Sequence, residues 1–157
     1  MINFWWVRHA PVIGNQNRCY GNNEVACNLS DVSSFKNIVE ILPKKSDVYT
    51  SNLSRAIKTF NNAVKYGFTY KKHIIDARLV EQDLGYYTGK KYSELENLIK
   101  KKNVFDNNWL MNASHVPPNG ESYRQLYKRV QSFVDELLIK YNTKNIVLFS
   151  HGGPIRA

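Results

Sequence analysis

The stretch "FWWVRHAPV", Phe4–Val12, decides how the rest of this chain is read. Four consecutive apolar residues, Phe4 to Val7, run straight into Arg8 and His9. A run that is apolar at odd and even positions alike fits a strand covered on both faces, as in a parallel sheet. A guanidinium and an imidazole at its carboxyl end then call for water or an anion. "NIVLFS" at Asn145–Ser150 has the same character and leads into His151.

Working outward, the strand candidates are Ile2–Val7, Asp47–Thr50, Ile74–Ile75 and Asn145–Ser150. Helical patterns lie between them. Ser30 is placed to cap a helix with Val32, Phe35, Val39 and Leu42 on its apolar face. Ala56, Ile57, Phe60, Ala63 and Val64 form a second face. Ser93 with Glu96, and Ser122 with Gln125, read as capping boxes. The second opens a long helix with Leu126, Tyr127, Val130, Phe133, Val134, Leu137 and Leu138 along one side. Strands alternating with helices predict a layered α/β fold, and the 157 residues are enough for one domain, 1–157.

Composition narrows the class. No apolar run approaches about 18 residues, so no membrane helix is expected. The start "MINFWW" has neither a basic region nor a cleavage site, so no signal peptide is expected. Cys19 and Cys27 are too few for a disulfide framework or a zinc set, which predicts reduced thiols and a cytoplasmic location. The net charge of +9 raises a nucleic-acid partner, but the lysine pairs are scattered at apparent turns and helix ends. A solvated basic surface is the better reading.

In open α/β sheets, ligands bind beyond the carboxyl ends of the strands. Arg8-His9 follows the first strand and Ser51–Arg55 the second. Glu81 lies a few residues beyond the third, and His151-Gly152-Gly153 follows the last. Parallel strands would bring two arginines, two histidines and a carboxylate to one edge. Arginine fits a phosphate with a rigid fork of donors. The amides opening a helix at Ser51–Arg55 could add to the cradle. Gly152-Gly153 would let backbone approach it, with Pro154 suited to the first helical position. Flanking arginines disfavour imidazolium, so His9 keeps a free lone pair and can attack phosphorus. His151 can donate to the phosphoryl oxygens. Glu81 can protonate the leaving oxygen and then activate water, with Asp83 the neighbouring alternative. Nothing in this scheme requires a metal or a cofactor.

These residues carry a resemblance. "VRHA" at Val7–Ala10 is similar to the Arg-His-Gly signature of the histidine phosphatase superfamily, the phosphoglycerate-mutase-like proteins. "SNLSRAIKT" at Ser51–Thr59 resembles the family's Ser-Pro-Leu-x-Arg-Ala-x-Gln-Thr motif. "LVEQDLGYYTG" at Leu79–Gly89 resembles its acid/base segment, "PPNGESYRQLYKRV" its Gly-Glu-Ser helix start, and "VLFSHGG" its second histidine. These motifs stand in family order across nearly the whole chain. The resemblance implies a three-layer α/β/α sandwich around a mostly parallel sheet. It implies His9 as the phosphorylated nucleophile and Glu81 as proton donor. Arg8, Arg55 and His151 would form the phosphate pocket, with Asn15 and Gly152 as further phosphate contacts. It implies no metal.

Ala10 stands where the family has glycine, and Asn52 where it has proline. The chain ends at Ala157, about one helical turn past "HGG", so relative to the family it is read as lacking its C-terminal part. The short stretch from Gly89 to Gly120 contrasts with the longer insertion of the family's mutases. That favours a metal-independent phosphomonoesterase acting on a small phosphorylated metabolite. The alternatives are a phosphoglycerate mutase and a non-catalytic phosphate-binding domain. "RCYGNNEVACNLS" at Arg18–Ser30 resembles bacterial members near the α-ribazole phosphatase branch, without naming a substrate. No nucleic-acid or membrane partner is expected, and a dimer is one option for the assembly. His73 and His115, in turn-like surroundings, are read as non-catalytic. Tyr86, Tyr87 and Trp109 either line an entrance or pack. Glu121 either orders the pocket or complements a helix dipole.

Overall fold

The computed structural model describes residues 1–15, 17–101, 113–142 and 144–157. Among them, four strands form one sheet: β1 (Ile2–Arg8), β2 (Ser46–Thr50), β3 (Tyr70–Ile75) and β4 (Lys144–Ser150). Every pairing is parallel, in the order β1-β4-β2-β3. The helices are α1 (Val32–Ile41), α2 (Ser54–Lys65), α3 (Tyr92–Lys101), α4 (Tyr123–Lys140) and α5 (Gly152–Arg156).

The continuous apolar runs are explained by two covered faces. Trp5, Val7, Val48, Val147 and Phe149 pack with Phe35 of α1 and Phe60 and Ala63 of α2. The intervening Phe4, Trp6, Tyr49, Ile146 and Leu148 pack with Phe133, Val134 and Leu137 of α4. This is the expected three-layer α/β/α sandwich with a parallel sheet. No helix among the described residues is long and apolar enough to cross a membrane.

Local details differ from the sequence expectations. β3 runs six residues rather than two. Its start at Tyr70–His73 is exposed to half-buried and polar, which hides the strand signal. Helix α1 is capped by Asp31, not Ser30, through Ser34 N at 3.0 Å. Helix α3 already begins at Tyr92, so Ser93 lies inside it, and Glu94 rather than Glu96 reaches back to Lys91 N at 3.1 Å. Only the Ser122–Gln125 capping box forms as read. The buried face of α2 is turned so that Arg55 and Thr59 lie inside with Ala56, Phe60 and Ala63, while Ile57 is half-buried. In α4, Tyr127 and Leu138 are exposed rather than buried.

Candidate active site

The parallel register delivers the sequence-remote groups to one edge. Arg8 pairs with Ser150 across β1 and β4, and the ladder continues from His9 N to Ser150 O at 2.9 Å. On the other side of β4, Ser51 N donates to Phe149 O at 3.0 Å. His9 and His151 therefore sit side by side, their ring centroids 5.1 Å apart and both rings buried.

His9 has one assigned nitrogen and one open one. Its Nδ1 lies 2.7 Å from the carbonyl oxygen of Ala10, which can only accept, so Nδ1 carries the proton. Its Nε2 is buried with no hydrogen-bond partner among the described residues. An orphaned buried polar atom costs about 1–3 kcal/mol and needs a reason. Burial is the larger cause that lowers the His9 pKa to about 4. The Ala10 bond opposes it, and the nearby Arg55 and Arg8 add to it. The ring is neutral as expected, but desolvation outweighs the arginines. Ala10 is fixed in turn, because its N–H donates to Thr59 Oγ1 at 2.9 Å.

Arg55 is fully buried and spends most of its donors on the protein itself. Its Nη1 donates to Asn23 O at 2.6 Å and its Nη2 to Gly21 O at 2.8 Å. Its Nε donates to His151 Nδ1 at 3.2 Å. Since Nδ1 accepts, the proton of the neutral His151 ring is on Nε2, which lies 2.8 Å from Ser51 Oγ. Burial first, then Arg55, His9, Arg129 and Arg8, drive the His151 pKa down to about 2. Three of the five guanidinium hydrogens are thus spent on the protein, leaving two for a ligand.

Helix α2 does not offer its first amides to an anion. Ser54 N and its hydroxyl are taken by the carboxylate of Glu24, and Leu53 N donates to Ser51 Oγ. A carboxylate of the chain itself occupies that helix start. Pro154 is the third residue of α5 rather than the first, still within the turn whose amides have no helical acceptor.

A cavity of about 200 Å³ opens beside these groups, lined by Arg8, Tyr20, Glu81, Tyr92, Gly152 and Arg156 among others. Tyr20 connects it to the buried groups, with its ring under the Arg55 guanidinium at 5.2 Å and edge-on to His9 at 6.4 Å. Glu81 Oε1 accepts from Gly153 N at 2.9 Å and from Gln82 N at 3.0 Å. A side chain at position 153 would put its Cβ 2.2 Å from that oxygen, so the carboxylate is seated against a glycine by necessity. Among the described residues, no group of three or more His, Cys, Asp or Glu is placed to hold a metal ion.

Residues 4–157 match the family described as the histidine phosphatase superfamily, branch 1. This chain belongs to that superfamily. "Putative phosphoserine phosphatase 2" of Hydrogenobacter thermophilus is 35% identical over 120 residues, 75% of this chain and 56% of that protein. "Phosphoglycerate mutase-like protein 4" of Arabidopsis thaliana is 30% identical over 158 residues, 96% of this chain and 66% of that protein. The histidine phosphatase chain thus spans little more than half of the first relative. In structure it resembles a mycobacterial glucosyl-3-phosphoglycerate phosphatase, with a TM-score of 0.77 at 21% identity, covering 96% of this chain and 74% of the other.

Of the expected site residues, Arg8, Glu81 and Gly152 line the cavity, and His9, Arg55 and His151 lie together beside it. Asn15 is not among the cavity residues, and its carbonyl closes a turn with Arg18 N at 2.9 Å. Asp83 turns its carboxylate to Gly85 N at 2.8 Å, a local loop bond, which separates it from Glu81. Glu121 is not spent on a helix dipole but forms a bidentate pair with Arg129. His73 sits in β3, not in a turn, with Nε2 2.9 Å from Thr50 Oγ1 and its ring against Phe60. Tyr87 is buried and stacks on His115, whereas Tyr86 is exposed under Lys90. Trp109 lies outside the described residues. Cys19 and Cys27 are free thiols, with burial raising Cys19 to about 11.

Sequence reasoning assigned no role to the side chains of Ser51, Thr59, Glu24 or Arg129. Ser51 and Thr59 stand inside the quoted "SNLSRAIKT" motif, which was the available signal. Glu24 and Arg129 act across the fold and leave no local trace.

Proposed function

We propose that this chain is a phosphomonoesterase that hydrolyses a small phosphorylated metabolite through a phosphohistidine on His9. The observation that carries the proposal is His9 itself, a neutral buried ring with Nδ1–H tied to Ala10 O and an unpartnered Nε2. In this reading the phosphoryl group enters beside Arg8 and the two free hydrogens of Arg55. His9 Nε2 attacks phosphorus as the bond to the leaving oxygen breaks, and Glu81 gives that oxygen a proton. Glu81 Oε1 is occupied by two amides, so Oε2 is the oxygen that carries the proton. Glu81 then takes a proton from water, which attacks phosphorus and frees His9. The guanidinium groups match the charge spread over the phosphoryl oxygens. His151 reaches those oxygens by trading the Ser51 contact for the ligand, with the Arg55 bond holding its tautomer.

The test is hydrolysis of p-nitrophenyl phosphate by the wild type and His9→Ala, with and without EDTA. The proposal expects EDTA-resistant phosphate release that disappears in His9→Ala. Unchanged release by His9→Ala, in a protein with an unaltered circular dichroism spectrum, would overturn it. Phosphate transfer between phosphoglycerates without release to water would assign the mutase reaction instead.

A further inference from the structure

Glu81 stands on a weakly structured segment. Residues 81–84 belong to no helix or strand, between short 3₁₀ turns at Ala77–Leu79 and Gly85–Tyr87. A free loop would blur the position of a proton donor, and such groups act over hydrogen-bond distances. Here the backbone of the segment is tied from outside by one pair of side chains. Arg129, in the middle of α4, donates from Nη1 to Arg78 O at 2.7 Å and from Nη2 to Glu81 O at 3.2 Å. The same guanidinium grips Glu121 through Nε to Oε2 at 3.1 Å and Nη2 to Oε1 at 2.6 Å. Glu121 Oε1 accepts from Asp83 N at 3.1 Å, and Glu121 O accepts from the Gln82 side chain at 3.0 Å. The carbonyl of Glu81 and the amide two residues on are therefore both held by one ion pair.

We propose that Arg129 and Glu121 are positioning residues that fix the Glu81 carboxyl where it can protonate the oxygen that leaves phosphorus as His9 attacks. This rests on the reading of Glu81 as the proton donor. Both side chains are about four-fifths buried, with exposures of 20% and 18%. A buried pair of this kind often stabilises a fold no better than apolar residues would, so its advantage is geometric. The frame of reference is right for that task. Helix α4 docks through Phe133 and Leu137 against the sheet that carries His9, and its Leu126 and Val130 are buried as well. Ser150 Oγ, one residue before His151, ties Leu79 O at 2.7 Å from the sheet side. The proton donor and the nucleophile are thus referred to one rigid body. Lysine could not replace Arg129, because a single ammonium cannot span two carbonyls and a carboxylate as the planar fork does.

The leaving group separates this role from general loss of structure. p-Nitrophenolate departs without a proton, whereas the alkoxide of β-glycerophosphate needs one. kcat/KM reports only the steps up to departure of the leaving group. Both substrates are assayed on the same preparation of each variant, so partial unfolding cancels in their ratio. Glu81→Gln serves as reference. Arg129→Gln and Arg129→Lys are expected to lower kcat/KM for β-glycerophosphate on the order of 10²-fold more than for p-nitrophenyl phosphate, the cost of a displacement of about 1 Å. Equal losses on both substrates, or none, while Glu81→Gln remains selective, would overturn the positioning role alone. A Glu81→Gln variant without selectivity would overturn the proton-donor reading and the positioning role with it.

Discussion

Replacing Gly153 by alanine tests the seat of Glu81 with a single methyl group. An ideal Cβ at this position lies 2.2 Å from Glu81 Oε1 and 3.0 Å from Leu126 Cδ1. Ordinary contact needs about 3.5 Å, so the carboxylate must retreat by roughly 1 Å. It can do so, because it is the end of a flexible side chain, and the fold survives. The 2.9 Å bond from Gly153 N is lost or distorted, and Leu126 must give slightly. Together these cost about 1–3 kcal/mol of stability. Turnover suffers more, since a misplacement of this size costs about 10² in rate. Gly152 supplies the control within the same motif. Its Cβ would meet nothing closer than the Arg8 side chain at 3.8 Å, so Gly152→Ala is expected to keep near-normal stability. The assay is kcat/KM on β-glycerophosphate for both variants, with thermal unfolding in parallel. A Gly153→Ala protein as active as the wild type would refute the placement of Glu81 as the group that transfers the proton.

Other consequences follow from the buried histidines and Arg55. Arg55→Lys keeps the charge but loses the fork that joins Gly21 O, Asn23 O and His151; it should lower stability by about 2–4 kcal/mol and weaken inhibition by inorganic phosphate at least tenfold, read by urea unfolding and by Ki. Retention of both values would contradict the clamp. Ser51→Ala removes the acceptor that His151 Nε2–H gives up when the ligand enters, while Arg55 still holds the tautomer, so kcat should hold and phosphate should inhibit at least as tightly as in the wild type. A marked fall in kcat would contradict the exchange of Ser51 for the ligand. Burial pushes His9 down to about 4 in the fold against 6.5 for a free imidazole, so the unfolded chain binds more protons between those values. Stability should therefore be full above about pH 7 and decline as pH falls through 6.5, His9 alone contributing roughly 3 kcal/mol by pH 4. Urea unfolding of wild type and His9→Ala across this range should show a steeper decline in the wild type. Parallel profiles would contradict the buried neutral ring.

The sheet was legible because β1 and β4 are covered on both sides and leave unbroken apolar runs. β3 was read short because its start, Tyr70-Lys71-Lys72-His73, is exposed to half-buried and carries no apolar run. The convergence of Arg8, His9, Arg55, Glu81 and His151 followed from one rule, that parallel strands share a carboxyl edge. What each group does with its hydrogen bonds did not follow. Arg55 looks in sequence like a phosphate ligand, yet it spends three donors on Gly21, Asn23 and His151. The opening of α2 looks like an anion cradle, but Glu24, thirty residues earlier, already occupies it. Arg129 was invisible because its partners include backbone carbonyls 48 and 51 residues away, and carbonyls carry no sequence signature. Ser30 and Asp31 are both good caps, and only the turn geometry selects Asp31.

The central claim is that His9 Nε2 takes the phosphoryl group, and the direct measurement is to trap it there. Wild type is mixed with excess p-nitrophenyl phosphate, quenched in base within one turnover, digested, and sequenced by mass spectrometry. Phosphohistidine survives base and is lost in acid. The account predicts a single acid-labile phosphoryl group on His9, absent in His9→Ala. Turnover with no such adduct, or with the label on another residue, would contradict it.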